Sequence, residues 1–159
     1  MRIAMVALVV WLVGACAGAA VPGRVAPTLA EIETLGFDCG DGIKDNVPSG
    51  LYQWSCIGTM DDEHTEILVD GNDEGVNQID VVVLENGDPG VAGRLFDRLV
   101  ETVPPFDTAP VLKDTITDWD GTEWSRAIGG VRISAFCAAT QCSILVMPAD
   151  GPLRPLPLP

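Results

Sequence analysis

Apolar positions along this chain recur with two different periods, and each change of period marks an element. From Leu51 to Ile57, Tyr52, Trp54 and Cys56 fall at every second position, which places them on one face of a strand. Thr65 to Val69 reads as a second strand, and Val76 to Leu84 carries Ile79, Val81 and Val83 on one side. In that third segment Val82 and Leu84 crowd the opposite side, so it reads as a central strand covered on both faces. Glu123 to Ile128, Val131 to Cys137 and Cys142 to Met147 give three more strands, the last two as a hairpin. Two stretches carry the helical period instead. Leu29, Ile32 and Leu35 form one stripe, opened by the capping box Thr28-Leu29-Ala30-Glu31 and ended by Gly36. Leu95, Phe96, Leu99, Val100 and Val103 form a stronger one. Asp88 precedes it as a side-chain cap, Pro89 takes the first helical position, where no amide hydrogen is needed, and Pro104-Pro105 stops it.

Helix, strands, helix, strands in that order predicts an α+β fold, an antiparallel sheet with two helices packed on one face. The chain also repeats itself. Glu33-Thr34-Leu35-Gly36-Phe37-Asp38 matches Glu101-Thr102-Val103-Pro104-Pro105-Phe106-Asp107 with one insertion. Trp54-Ser55-Cys56-Ile57-Gly58 matches Trp124-Ser125-Arg126-Ala127-Ile128-Gly129 with another. The matches keep their order and nearly their separation, which points to tandem helix-plus-strands units, 28–87 and 88–148, inside one domain 28–148. That layout is similar to β-lactamase inhibitor proteins built from tandem helix-plus-sheet units; the likeness is one of layout and carries no residue across. Asp38 to Gly50 and most of 106–121 read as loop, and Asp70-Gly71-Asn72-Asp73-Glu74-Gly75 as a turn. Beyond Pro148, prolines 152, 155, 157 and 159 predict an extended, unpacked tail over 149–159.

Residues 1–27 follow a different rule. Met1-Arg2 provides a positive end, Ile3 to Val13 is apolar and uncharged, and Val13-Gly14-Ala15-Cys16 closes the run. The run is too short to span a bilayer as a helix and has the proportions of a signal-peptide core. An apolar residue, two small ones and a cysteine resemble the lipobox of bacterial lipoproteins. The resemblance implies a signal peptide over 1–15, cleavage before Cys16 and acylation of Cys16 with palmitate-type chains. The bilayer would then be a partner, and the tether 16–27 would hold the domain outside the cytoplasm on the cell membrane. Free secretion, with cleavage after Ala17-Gly18-Ala19, is the alternative. Either way Cys16 leaves the pool of folded thiols. Of five cysteines, Cys39, Cys56, Cys137 and Cys142 remain, an even number that reads as two disulfides in an oxidising compartment. Spacing favours Cys39–Cys56 and Cys137–Cys142 and lacks the close pairs of a four-cysteine zinc site.

The formal net charge of −14 repels phosphates, which argues against nucleic acid as a partner. Asp70, Asn72 and Glu74 take positions one, three and five of a calcium loop, but Asn77 and Val81 stand where an aliphatic residue and a bidentate glutamate are required. Loose calcium binding through Asp70, Asp73 and Glu74 is the most such a turn offers. His64 is the only histidine, within Asp61-Asp62-Glu63-His64-Thr65-Glu66, and the expectation is that Glu63 and Glu66 point away from its face. Trp119, between Asp118 and Asp120, is expected as an exposed aromatic contact. No nucleophile elbow, phosphate-cradling glycine loop or cofactor motif is present. The expectation is a non-enzymatic binding or envelope-interaction module with a protein partner in the envelope. The alternative is an acidic-site hydrolase or metal-assisted enzyme built on the Asp61–Glu66 cluster.

Overall fold

A computed structural model describes residues 24–44, 50–84, 86–102, 116, 118–128 and 130–149. The helical stripes and alternating segments become, in chain order, α1 (Ala26–Thr34), β1 (Asp38–Cys39), β2 (Ile43–Lys44), β3 (Tyr52–Met60), β4 (Glu63–Asn72) and β5 (Gly75–Val83). They are followed by α2 (Pro89–Thr102), β6 (Trp124–Ile128), β7 (Val131–Ala138) and β8 (Gln141–Pro148). All strands join one antiparallel sheet in the order β1-β3-β4-β5-β8-β7-β6. The short β2 continues the β1 edge, pairing Ile43 with Gln53 where β1 pairs Asp38 with Ile57. After α1 come the short β1 and β2 and then the three-strand meander β3-β4-β5, after α2 the three-strand meander β6-β7-β8, and the two meanders meet where their last strands, β5 and β8, pair. Among the described residues no helix is long and apolar enough to cross a membrane.

Both helices lie over the same sheet face, and the core fills the space between. Trp54, Ile67, Val69, Ile79, Val81, Ile133 and Ile144 come from the sheet; Ile32, Leu95, Phe96 and Leu99 come from the helices. Burying each such side chain contributes about 1.5–3 kcal/mol. The cap of α2 is the expected one: Asp88 Oδ1 accepts from the amides of Gly90 at 2.7 Å and Val91 at 3.4 Å. Gly36 closes α1 at φ +94°, a backbone region that glycine enters without a Cβ clash. Gly58 lies inside β3 because the Phe37 ring sits on it; a Cβ there would stand 2.8 Å from that ring. Disulfides join Cys39 to Cys56 and Cys137 to Cys142, each between directly opposed residues of neighbouring strands. Such bonds suit an oxidising, extracytoplasmic compartment.

Four local expectations are corrected. The first helix begins at Ala26, not at Thr28, and no side chain caps it. Pro27 starts the helical turn earlier, Thr28 lies buried inside it, and Val25 packs against Gly71, so 24–27 belong to the domain and not to a tether. The turn expected over 70–75 shrinks to Asp73-Glu74, because Asp70, Gly71 and Asn72 stay in the β4 ladder across a bulge. The loop after Asp38 contributes the edge strands β1 and β2. β5 is central, and Val82 is buried, but no described helix covers its second face. Cys16 with the rest of 1–23, Val103 to Pro105 and the tail from 150 lie outside the described residues.

Candidate functional site

Antiparallel register carries side chains of one face across a sheet in rows. On the face away from the helices, one row runs Asp38, Ile57, Glu66, Val82, Ser143, Phe136. The next runs Ser55, Leu68, Asp80, Leu145, Ser134, Ser125. Ile43, Gln53, Asp70 and Gln78 start a third. Polar and apolar side chains alternate along the first row and through the middle of the second, which is not how a surface that only meets water is built.

The polar members are held by one another. Ser55 donates its hydroxyl to Glu66, Gln53 Nε2 donates to Asp70 at 3.0 Å, and Ser143 donates to Asp80. Burial among its apolar neighbours pushes the Asp80 carboxyl above the ordinary aspartate value; the Ser143 hydrogen bond opposes this, and the charges of Asp70 and Glu66 reinforce it. Of the apolar members, Val82 is buried and Leu68 and Leu145 are half-buried, whereas those nearer the sheet edges are exposed. Among the described residues the exposed large hydrophobics are Ile43 at 74%, Ile57 at 60% and Phe136 at 41%, and register puts all three on this face. At the β1–β2 edge, Ile43 and Ile57 line a depression of about 330 Å³ together with Asp38, Asp41, Gln53 and Ser55. The strand positions of the face hold Asp38, Glu66, Asp70 and Asp80 against Arg132 and His64.

The acidic cluster around His64 is dispersed by its hairpin. Asp61 and Asp62 form the tip, with φ of 52° and 65°, and Arg94 of α2 holds the Asp61 carboxylate at 2.9 and 2.6 Å. Glu63 turns toward the helix side and accepts from Asn86 at 3.1 Å. His64 and Glu66 stand two apart and therefore share the open face, contrary to the expectation that both glutamates point away. Of the calcium candidates, Asp70 is on the sheet face, whereas Asp73 and Glu74 are exposed at a hairpin tip, where Asn72 Oδ1 accepts from the Glu74 amide at 2.8 Å. Among the described residues no three metal-ligating side chains come together.

Trp119 is not an exposed contact. It is buried, and its indole donates to the Thr122 carbonyl at 2.7 Å. Asp120 accepts from the amide and hydroxyl of Thr122, bonds that hold its carboxyl below the usual range. Asp120 thus serves a turn while the ring turns inward. A second cleft, about 180 Å³, opens where β5 and β8 part beyond Ile79 and Val146; it is lined by Val76, Asn77, Val131 and Met147. Sequence reasoning missed Ile43, Ile57, Phe136 and the Asp80–Ser143 pair. Ile57 and Phe136 occupy outward positions of strands whose inward sets were readable, so their signal was there. Asp80 and Ser143 lie 63 residues apart, and nothing local connects them. Comparison with protein-family models, curated proteins and solved structures found no match to this chain.

Proposed function

We propose that this chain is an extracytoplasmic, lipid-anchored binding module and that its working surface is the helix-free face of the sheet. One observation carries the reading: the exposed large hydrophobics Ile43, Ile57 and Phe136 all belong to that face. Ile43 and Ile57 adjoin at one edge of the face and Phe136 stands four strands away, and exposed apolar side chains bordered by polar groups are what interaction surfaces use. The Val13-Gly14-Ala15-Cys16 motif supports the anchor, and the two disulfides support the compartment. The alternation of helix and three-strand meander, with Trp54 and Trp124 both in a meander's first strand, supports descent from a tandem duplication.

Two experiments test this. A photoreactive residue at Ile57 or Phe136 is expected to trap one and the same envelope protein, whereas the same residue at Arg98 on the exposed side of α2 traps none. Trapping from position 98 alone would overturn the choice of face. Feeding cells radiolabelled fatty acid is expected to label the wild type and not Cys16→Ser; no label in either leaves free secretion. An enzyme built on the Asp61–Glu66 segment would instead show turnover that His64→Ala abolishes.

A further inference from the structure

Arg24 and Val25 enter the domain at one end of the sheet. Arg24 Nη1 donates to the Glu74 carbonyl at 3.2 Å, and Val25 is buried beside Gly71, so the entry point is the β4–β5 turn. Register puts the close of β8 there too, with Pro148 opposite Val131 and Met147 opposite Arg132. The other end gathers the Asp61-Asp62 tip and the Cys137–Cys142 hairpin, because Val83 pairs with both Thr65 and Cys142. Asp88 opens α2 at that end, and Gly121 packs against Cys137 and Pro89, which brings Asp120 there as well.

The two ends differ in charge. Near the β4–β5 turn, Arg24 and Arg132 offset two of the three carboxylates Asp70, Asp73 and Glu74. At the far end Arg94 alone, held to Asp61, stands among Asp61, Asp62, Glu63, Asp88 and Asp120. The near end is also where the cleft lined by Val76, Val131 and Met147 opens.

An acyl anchor at Cys16 limits how such a domain stands on a bilayer. Cys16 and Arg24 are eight residues apart, a reach of at most about 28 Å for a fully extended chain. The ten residues of β4, which separate the two ends, span about 33 Å. With the acidic end against the headgroups, Arg24 would therefore stand beyond the reach of its own anchor. Lying on its side, the domain would bring either Glu66 and Asp70 of the open face or Glu33 and Glu101 of the helices against anionic headgroups, which repel them. Upright on the Arg24 end, it meets them with its least charged surface.

Resting on the reading of Cys16 as a lipid anchor, we propose that the end carrying the β4–β5 turn, Arg132 and Pro148 is the bilayer-facing surface and that the acidic end points away. The strands then stand along the membrane normal, and the open face looks along the surface, toward proteins held on the same membrane.

The test uses the acylated full chain, purified from cells and added to preformed vesicles of phosphatidylcholine and phosphatidylglycerol. A donor fluorophore on an introduced unnatural amino acid sits at position 73 or at position 62, two exposed hairpin tips at opposite ends of β4. An acceptor dye sits on a fraction of the headgroups. Energy transfer is expected to be stronger from 73 than from 62, and the contrast to narrow when phosphatidylglycerol is left out. Equal transfer from the two positions, or stronger transfer from 62, in vesicle-bound protein would overturn the orientation and leave the anchor. A contrast unchanged without phosphatidylglycerol would overturn the part assigned to charge. Wild-type protein that does not float with the vesicles would overturn the anchor and the orientation together.

Discussion

The two faces of this sheet are made by the same strands, residue by residue in alternation, and they follow different rules. Toward the helices, Ile67, Val69, Ile79, Val81, Ile133 and Ile144 are aliphatic without interruption and essentially free of water. On the other side the same strands place Glu66, Leu68, Asp80, Val82 and Ser143. A slip of one residue would exchange the faces, so the aliphatic face alone is enough to set register. That leaves the second face free to hold carboxylates and exposed isoleucines whose cost the first face offsets. On the reading proposed above, stability and recognition are separable, one on each side of a single backbone layer.

The sharpest way to break the comparison is to empty the covered face. Phe96→Ala removes a fully buried ring and is expected to cost about 3–5 kcal/mol, read from urea unfolding. A loss below about 1 kcal/mol would mean that α2 is not seated as described. The disulfides come next. Replacing Cys39 and Cys56, separated by 17 residues, with serine should cost about 3 kcal/mol by loop entropy, and Cys137 with Cys142, separated by 5, about 2. If the shorter loop proved the more costly, loop entropy would not be what these bonds contribute.

Asp80 sharpens the comparison from the other side. Its carboxyl titrates above the ordinary aspartate value of about 3.9, so as pH rises through that value the unfolded chain ionises first and the folded state loses stability. Below about pH 4 both states are protonated and the penalty is absent. Asp80→Asn, which can still accept from Ser143, is expected to be more stable than wild type at pH 7, with the gain vanishing toward acid pH. A wild type favoured at neutral pH would contradict the burial. The smallest effect belongs to Ile57→Ser, an exposed position, where stability should move by no more than about 0.5 kcal/mol in the same urea assay. A larger loss would place Ile57 among the structural residues.

Elements whose cause is local were legible. Asp88 and Pro89 start α2 because capping needs only the next three amides, and the cores of the six longer strands were visible because alternation is a property of consecutive residues. Boundaries that depend on distant neighbours were not. Val25 joins the domain because Gly71 leaves room for it, and Trp119 turns inward beside two aspartates that suggested exposure.

By itself the sequence determined the antiparallel α+β class, the order of its elements, the favoured cysteine pairing and the acidic charge that narrows its partners. Only the tertiary structure decided which face of the sheet the helices take, that the other is uncovered by any described helix, and that Ser143 meets Asp80 across β5 and β8. The reason is physical: periodicity tells a strand that it has two faces, but which is covered depends on chain tens of residues away, returning through space to one side.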